Sequence, residues 1–159
     1  MAKAPSAEDI AALGERFSEA IRGTREALGE VSAYVDPAFI LEVCTFLRDD
    51  PRFQFNLLSD LTGVDLGLDQ EPRFEVIYHL YSLPLGHRLR LKAQLPSEEP
   101  TIDSVTSIWK TANWHERETF DMFGIVFEGH PDLRRILTPD EFQWHPLRKD
   151  FPVRGYDDF

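Results

Sequence analysis

The first thirty residues carry a helical pattern of apolar positions. Ser6 can cap the start of a helix and Gly29 can end it. Between them, apolar side chains recur three, four or seven residues apart at Ile10, Leu13, Phe17, Ile21 and Leu28. This spacing predicts an amphipathic helix over about residues 6–28.

A short strand and a second helix are expected next. Residues 31–35 alternate between apolar and smaller or more polar side chains, as a strand does. Asp36-Pro37 then combines a capping carboxylate with a proline suited to a first helical turn. Asp50-Pro51 ends this helix, because a residue before proline avoids the helical conformation.

Three strands are predicted between residues 53 and 95, at about 53–64, 74–81 and 87–95. The third alternates leucine or alanine with arginine, lysine or glutamine, which indicates one buried and one solvated face. The connection at 82–86 is short, so the last two strands should form an antiparallel hairpin.

The remainder of the chain predicts two helices and an irregular arm. Asp103 or Ser104 can cap a short helix through Trp109, and Asn113 can cap a helix over 114–123 that Gly124 ends. Four later prolines prevent long regular elements: Pro131, Pro139, Pro146 and Pro152. We therefore predict one α+β domain over residues 1–138, with a mostly antiparallel mixed sheet and helices packed on one face, and an extended arm over 139–159.

Composition excludes several classes of function. A net charge of -11 argues against nucleic-acid binding. The chain has one cysteine, Cys44, which excludes an internal disulfide or an iron–sulfur cluster held by this chain alone. We expect no membrane span, because no apolar run approaches the roughly 18 residues required.

Residues 114–153 mix charged groups with large aromatic rings. An unpaired buried charge is costly, so we expect these charges to find partners when the stretch is covered. Arg134 and Arg135 are the expected partners of Glu118 and Asp121. Tyrosine, tryptophan, phenylalanine and arginine are typical of interfaces, so the stretch is interpreted as a surface for another protein. The arm after Pro139 either lies along that partner or folds back over its own sheet.

Chemistry at the same stretch is a weaker interpretation. Metal ligands could come from His115, Glu116, Glu118, His130 and His145, but the zinc-protease spacing places Thr119 where a second histidine is needed. Glu118 and Asp121 are spaced for acid–base work, although ion pairing explains them as well.

Several segments are similar to one known family. Residues 116–125 read ERETFDMFGI, 129–137 read GHPDLRRIL and 145–152 read HPLRKDFP. Together with 60–65 and 78–80 they resemble the C-type, or 30 kDa-type, subunit of NADH:quinone oxidoreductase, the respiratory complex I. The resemblance spans roughly residues 49–153. Its signature and expected partner interface comprise Glu116, Arg117, Glu118, Asp121, Phe123, Gly124, His130, Pro131, Arg134, Arg135, His145, Pro146, Arg148, Lys149 and Asp150.

The resemblance implies a non-catalytic structural and assembly subunit. It would lie in the hydrophilic arm, peripherally on the cytoplasmic side of the inner membrane. Its main contact would be the D-type subunit, whose interface with another subunit forms the quinone site. FMN and iron–sulfur clusters would be bound by partner subunits. This chain would itself contribute no catalytic, cofactor-binding or metal-binding residue. The whole complex would pass electrons from NADH to quinone and translocate protons.

Two alternatives remain open from the sequence. One is the equivalent subunit of a membrane-bound hydrogenase or related dehydrogenase. The other, more remote, is a stand-alone metal- or carboxylate-dependent enzyme that uses His115, Glu118, Asp121 and His130.

Overall fold

Seven strands and three α-helices make up the described part of the chain. The computed structural model describes residues 3–155. The helices are α1 (Ala7–Arg16), α2 (Ile40–Asp49), which follows a 3-10 turn at Pro37–Phe39, and α3 (Ala112–Phe123). The strands are β1 (Ile21–Ala27), β2 (Glu30–Val35), β3 (Leu57–Asp65), β4 (Phe74–Ser82), β5 (His87–Leu95), β6 (Thr101–Asp103) and β7 (Val126–Glu128).

The main sheet has five strands in the order β1-β2-β5-β4-β3. Within it, β2 and β5 pair in parallel, and the other three pairs are antiparallel. The hairpin of β4 and β5 runs from Phe74 opposite Leu95 to Ser82 opposite His87. The predictions of this hairpin and of a mostly antiparallel mixed sheet are confirmed.

One face of this sheet is buried under the helices. Alternate residues of β4 point into the core and are almost fully buried, namely Phe74, Val76, Tyr78 and Leu80. Apolar residues of α2 and α3 belong to the same core, including Val43, Leu47 and Phe123. The opposite face carries the half-exposed polar residues of β4 and β5. The chain is therefore an α+β domain with helices on one face, as predicted.

The predicted helix over residues 6–28 is wrong beyond Arg16. The backbone leaves the helix at Phe17, and β1 follows as the edge strand paired with β2. Leu28 and Gly29, both with positive φ, form the two-residue turn between them. Gly29 signalled a hairpin turn rather than a helix end, because pairing with β2 overrides the helical spacing of Ile21 and Leu28.

Two shorter predictions also need correction. The first central strand begins at Leu57 rather than 53, and Phe53 and Phe55 enter the core ahead of it. No helix forms over 103–109: residues 101–103 instead make β6, which pairs in parallel with β7. The hydroxyl of Ser104 binds a glutamate of α3 instead of capping a helix.

The third helix begins slightly before its predicted start. It begins at Ala112 with Thr111 as its N-cap residue, which makes no side-chain capping bond, and so Asn113 lies inside the helix. It ends at Gly124 in the left-handed conformation, as predicted.

Helix α3 lies close to β3 because Gly63 has no side chain. A Cβ atom at Gly63 would lie 2.7 Å from Cδ2 of Phe123 and 3.1 Å from Cγ2 of Thr119. This contact fixes the height of α3 above the sheet, and with it the position of every charged group on the helix.

We predict that Gly63→Ala lowers the free energy of unfolding by about 1–3 kcal/mol, because the added methyl overpacks this contact. The matched control is Gly14→Ala, since a Cβ in α1 meets nothing within 4 Å. That variant should gain about 0.5–1 kcal/mol from helix propensity. Urea unfolding measures both, and equal stabilities of Gly63→Ala and the wild type would contradict the close contact.

Candidate interaction surface

Asp121 is the most heavily bonded charged group of α3. Its side chain is fully buried. One carboxylate oxygen accepts the backbone N–H groups of Ile136, Leu137 and Thr138, at 3.0, 2.7 and 2.9 Å. The other accepts the Thr138 hydroxyl and, at 2.7 Å, Nη1 of Arg135. Asp121 thus holds the irregular segment 134–138 against the helix.

These bonds keep Asp121 ionised. Burial alone would raise the pKa of this carboxyl, but the hydrogen bonds from Thr138, Leu137 and Ile136 outweigh burial and hold the pKa well below its usual range. The predicted pairing of Arg135 with Asp121 is confirmed. The same Nη1 atom also donates to the carbonyl oxygen of Trp144 at 3.1 Å.

Arg117 attaches the same segment one turn earlier. Its guanidinium donates to the carbonyl oxygens of Arg134 and Arg135, at 3.2 and 3.1 Å. The guanidinium carbon also lies 5.1 Å from the ring centre of Trp114. Arg117 therefore binds backbone carbonyl oxygens, and Asp121, four residues further along α3, pairs with Arg135 instead.

Arg134 and Glu118 do not pair with each other. Arg134 donates to Asp132 at 2.9 Å, and both side chains are mostly exposed. Glu118 is exposed on the outer side of α3. This half of the predicted pairing is wrong, because segment 134–138 crosses the helix beside Arg117 and Asp121 and not over Glu118.

Glu116 occupies the opposite, inward side of α3 and is fully buried. Its carboxylate accepts the Ser104 hydroxyl at 2.6 Å and the Val105 N–H at 2.7 Å. Burial raises the pKa of Glu116 to about 7, against the opposing effect of these two hydrogen bonds. The side chain of His130 is also fully buried, with Nε2 4.0 Å from Oε2 of Glu116.

The arm folds back and caps the C-terminal end of α3. Nδ1 of His145 donates to the carbonyl oxygen of Asp121 at 2.9 Å, and the Leu147 N–H donates to that of Met122 at 3.1 Å. Nε of Arg148 donates to the carbonyl oxygen of Phe123 at 2.5 Å. The last carbonyl oxygens of a helix have no donors within the helix, and here the arm supplies those donors. Burial lowers the pKa of both His145 and Arg148.

A second ionic contact fastens the arm to the sheet. Arg73 binds the Asp65 carboxylate through two nitrogens, at 3.0 and 2.7 Å. Asp65 also accepts the Lys149 N–H at 2.8 Å, and Asp150 lies 3.3 Å from Arg73. The hydrogen bonds from Arg73 outweigh burial and lower the pKa of Asp65 to about 2. The sequence pattern gave no signal for Arg73, whereas Asp65 belongs to a segment that resembled the family.

Of the two paths left open for the arm, the structure shows residues 145–150 against their own domain. Residues 139–155 contain turns and no helix or strand. The final residues of the predicted arm, 156–159, lie outside the described part of the chain.

Large apolar side chains remain exposed beside these charged contacts. Trp114, Leu137 and Leu147 are 62%, 63% and 55% exposed. Trp114 stacks on Arg117, the Leu137 N–H binds Asp121, and the Leu147 N–H binds the end of α3. We name these three residues, together with Glu118 and Arg134, the docking surface, after the role proposed for them below. Among the other signature positions, Phe123 is buried, Pro131 is exposed and Pro146 is partly buried.

Of the candidate metal ligands, Glu116 and His130 lie near each other, whereas His115 and His145 have other partners. His115 faces Asp60 at 3.4 Å, Asp121 binds segment 135–138, and His130 binds the backbone of Asn113 and Asp132. Within residues 3–155, no three or more histidine, cysteine, aspartate or glutamate side chains are grouped to hold a metal ion.

Over the same residues, no helix has the length and apolar character needed to cross a bilayer.

We predict that Asp121→Asn lowers the free energy of unfolding by about 3–5 kcal/mol at pH 7, because it leaves the partly buried Arg135 and several donors without their anion. Since the folded pKa is lowered, the contribution of Asp121 is present above pH ~4 and is lost as the pH falls further. Urea unfolding at several pH values measures this. Glu118→Gln, which removes an exposed charge from the same helix, is the control, and an equal effect of both variants would contradict this role.

We predict that Gly124→Ala releases the arm. Gly124 and Gly129 both have positive φ, at 73° and 78°, so alanine costs about 1–2 kcal/mol at either position. Only at Gly124 would the Cβ also meet His145 and Arg148, both at 2.5 Å. Trypsin should therefore cut after Arg148 and Lys149 faster in Gly124→Ala than in Gly129→Ala. Equal cleavage rates would contradict the capping contact.

Solved structures share the fold. The trypsin-resistant fragment 1–134 of Nqo5 superposes with a TM-score of 0.67 at 32% identity, over 79% of this chain and 98% of the fragment. A chain of the membrane-bound sulfane sulfur reductase, an archaeal respiratory membrane complex, superposes with a TM-score of 0.75 over 92% of this chain and 85% of its own. At 24% identity, the second likeness concerns the fold alone.

Comparison with known sequences identifies the family. The family described as "Respiratory-chain NADH dehydrogenase, 30 Kd subunit" matches residues 33–157. A C-type subunit of the NADH-quinone oxidoreductase of Rhizobium etli is 52% identical over 144 residues, which cover 91% of this chain and 76% of that protein. The C-type subunit of a Roseiflexus species is 53% identical over 135 residues, covering 85% and 77%. On the extent of these matches, the chain belongs to the family of the 30 kDa subunit of the respiratory-chain NADH dehydrogenase.

Proposed function

We propose that this chain is a non-catalytic structural and assembly subunit in the hydrophilic arm of an NADH:quinone oxidoreductase. It contacts the D-type subunit and its neighbours, and it is peripheral on the cytoplasmic side of the membrane. The observation that carries the proposal is the docking surface: exposed Trp114, Leu137 and Leu147 are attached to backbone that buried charges hold in place.

The bonding of the signature charges supports a structural role. Asp121 and Arg117 bind backbone amides and carbonyls of segment 134–138, and Arg148 binds the end of α3. Groups committed to the chain's own backbone stabilise one conformation. Their chemistry is that of helix capping and loop fastening.

The docking surface has the composition of an interface centre. Tryptophan and arginine dominate interface energetics, and here the exposed Trp114 ring is stacked against the Arg117 guanidinium. A ring already held in place loses little conformational freedom on binding, which favours affinity. The relatives of this chain are subunits of one oxidoreductase, which favours a partner from the same complex. We infer the D-type subunit as that partner from the family resemblance.

The redox groups belong, in this proposal, to partner subunits. The only cysteine of the chain, Cys44, is buried in α2, and iron–sulfur clusters require several cysteine ligands. FMN and the clusters would carry electrons from NADH to quinone on neighbouring subunits, coupled to proton translocation. This chain would hold those subunits together.

A related membrane complex is the second candidate. A chain of the archaeal sulfane sulfur reductase complex has the same fold, so the fold by itself is compatible with either complex. Relatives at 48–53% identity that are subunits of NADH-quinone oxidoreductase favour the first candidate. Identification of the co-purified subunits by mass spectrometry separates the two: FMN-containing NADH-oxidising subunits support the first, and a nickel-containing large subunit supports a hydrogenase.

We predict that Leu137→Asp combined with Trp114→Ala reduces co-purification with the D-type subunit at least tenfold, because the loss of two anchors costs about 2–4 kcal/mol. Leu28→Asp is the control. Leu28 is fully exposed in the β1–β2 turn, at the edge of the sheet opposite the α3 side. Circular dichroism should show all variants folded, and undiminished co-purification of the double variant would refute the docking surface.

A further inference from the structure

The Glu116 carboxyl lies in an enclosed polar cluster apart from the docking surface. The side chains of Glu116 and His130 are both fully buried. The neighbours of this pair are Cys44 of α2, Tyr78 of β4 and Asp103 of β6. Glu116 lies near enough to Cys44 and Tyr78 to raise the pKa of both, and Asp103 near enough to Tyr78 to raise its pKa. Ser104 and Val105 close the cluster on the remaining side.

Among the described residues of this cluster, no cation compensates the charge of Glu116. Cys44 and Tyr78 are fully buried neutral groups, and burial raises the pKa of each. The Tyr78 hydroxyl makes no hydrogen bond to any described residue. Asp103 is itself an acid. An ionised Glu116 is therefore stabilised by the Ser104 hydroxyl and the Val105 N–H, in surroundings of low dielectric.

His130 cannot supply the missing positive charge in this conformation. Its Nε2 lies 3.1 Å from the carbonyl oxygen of Asn113, which can only accept, so Nε2 carries the hydrogen. Its Nδ1 accepts the Asp132 N–H at 2.9 Å, so Nδ1 carries none. Both contacts require neutral imidazole, and protonation at Nδ1 would break one of them.

Two hydroxyl groups connect Glu116 to the surface. Oε2 of Glu116 lies 2.6 Å from Oγ of Ser104, which lies 2.8 Å from Oγ1 of Thr106. Ser104 is buried, whereas Thr106 is partly exposed. A chain of two hydroxyls can point either way: toward an ionised carboxylate, or away from a protonated one.

We propose that Glu116 is a buried proton-binding site, loaded from solvent through the Ser104 and Thr106 hydroxyls. A proton enters at Thr106 Oγ1, the Thr106 hydrogen passes to Ser104, and the Ser104 hydrogen passes to Glu116. Each hydroxyl keeps one hydrogen and reverses its direction, so no side chain needs to move. Because this chain of hydroxyls joins α3 to the segment after β6, proton occupancy adjusts how stably that segment is held.

The direction of the pH effect follows from the cluster. The folded pKa of Glu116, about 7, lies above its ordinary value of 4.5. Its contribution to stability is therefore complete below about pH 4.5, declines as the pH rises, and is lost above about pH 7. Asp65 and Asp121 have lowered pKa values and act in the opposite direction, at lower pH.

The first test is a carbon-13 NMR titration of the glutamate carboxyl carbons in the full-length chain, with the Glu116 resonance assigned by Glu116→Gln. We expect a midpoint near pH 7. Ser104→Ala should raise that midpoint by about one pH unit, because it removes a hydrogen bond to the ionised form. A wild-type midpoint below pH 5.5, or a midpoint that Ser104→Ala leaves in place, overturns the proposal.

The second test compares unfolding of Glu116→Gln with that of Glu118→Gln, which makes the same chemical change on the exposed side of α3. Between about pH 5.5 and 7, the ratio of their unfolding constants should shift in favour of Glu116→Gln by roughly fifteenfold in total, and level off by about pH 8. A ratio independent of pH overturns the proposal. If Glu116→Gln does not fold, the Ser104→Ala titration still decides.

Discussion

The buried contact of Asp121 with Arg135 and three consecutive backbone amides is the interaction on which the signature region depends. Segment 134–138 has no helix or strand to satisfy its N–H groups, and an unsatisfied buried amide is costly. One carboxylate serves three of these amides, while Arg135 balances its charge and also reaches the carbonyl oxygen of Trp144. The contact of one α3 side chain with Arg135 therefore holds both segment 134–138 and the backbone at Trp144.

The need to satisfy backbone groups also explains the position of the arm. A chain punctuated by prolines lacks donors and cannot form a ladder, so its position must come from side chains and from isolated backbone bonds. The last carbonyl oxygens of α3 are fixed acceptors. Those of Asp121, Met122 and Phe123 accept hydrogen bonds from His145, Leu147 and Arg148 respectively. Gly124 makes this approach possible because it leaves the space that a methyl group would occupy.

The two sides of α3 have different tasks. The outer side carries the docking surface, where Trp114 and Leu137 are exposed on a backbone held by Arg117 and Asp121. The inner side carries Glu116, whose charge faces hydroxyls and neutral groups. The proposed docking surface and the proposed proton-binding group thus both involve α3, which would make the proposed assembly role sensitive to pH.

Local signals were sufficient where neighbouring residues decide the structure. Alternation in β4 and β5, the Asp36-Pro37 start of the second helix and the Gly124 end of α3 could be predicted, because period and capping act within a few residues. The segments that resemble the family also contain Arg117, Asp121 and Arg148, whose backbone contacts the structure shows. Helical spacing at Ile21 and Leu28 failed, because β1 pairs across a tight turn with β2, and the more distant strand β5 holds β2 in the sheet.

The partners of the site residues were beyond the sequence. It indicated that Asp121 and Arg135 would pair, but also paired Glu118 with Arg134, which lies at an exposed turn. No local signal indicated that Arg73 binds Asp65, that Ser104 binds Glu116 or that Arg117 binds backbone carbonyls. By itself the sequence determined the fold class, the family and the residues of the signature. Only the tertiary structure decided which charges face the core, the arm or solvent, because burial and pairing depend on segments far apart in the chain that meet at α3.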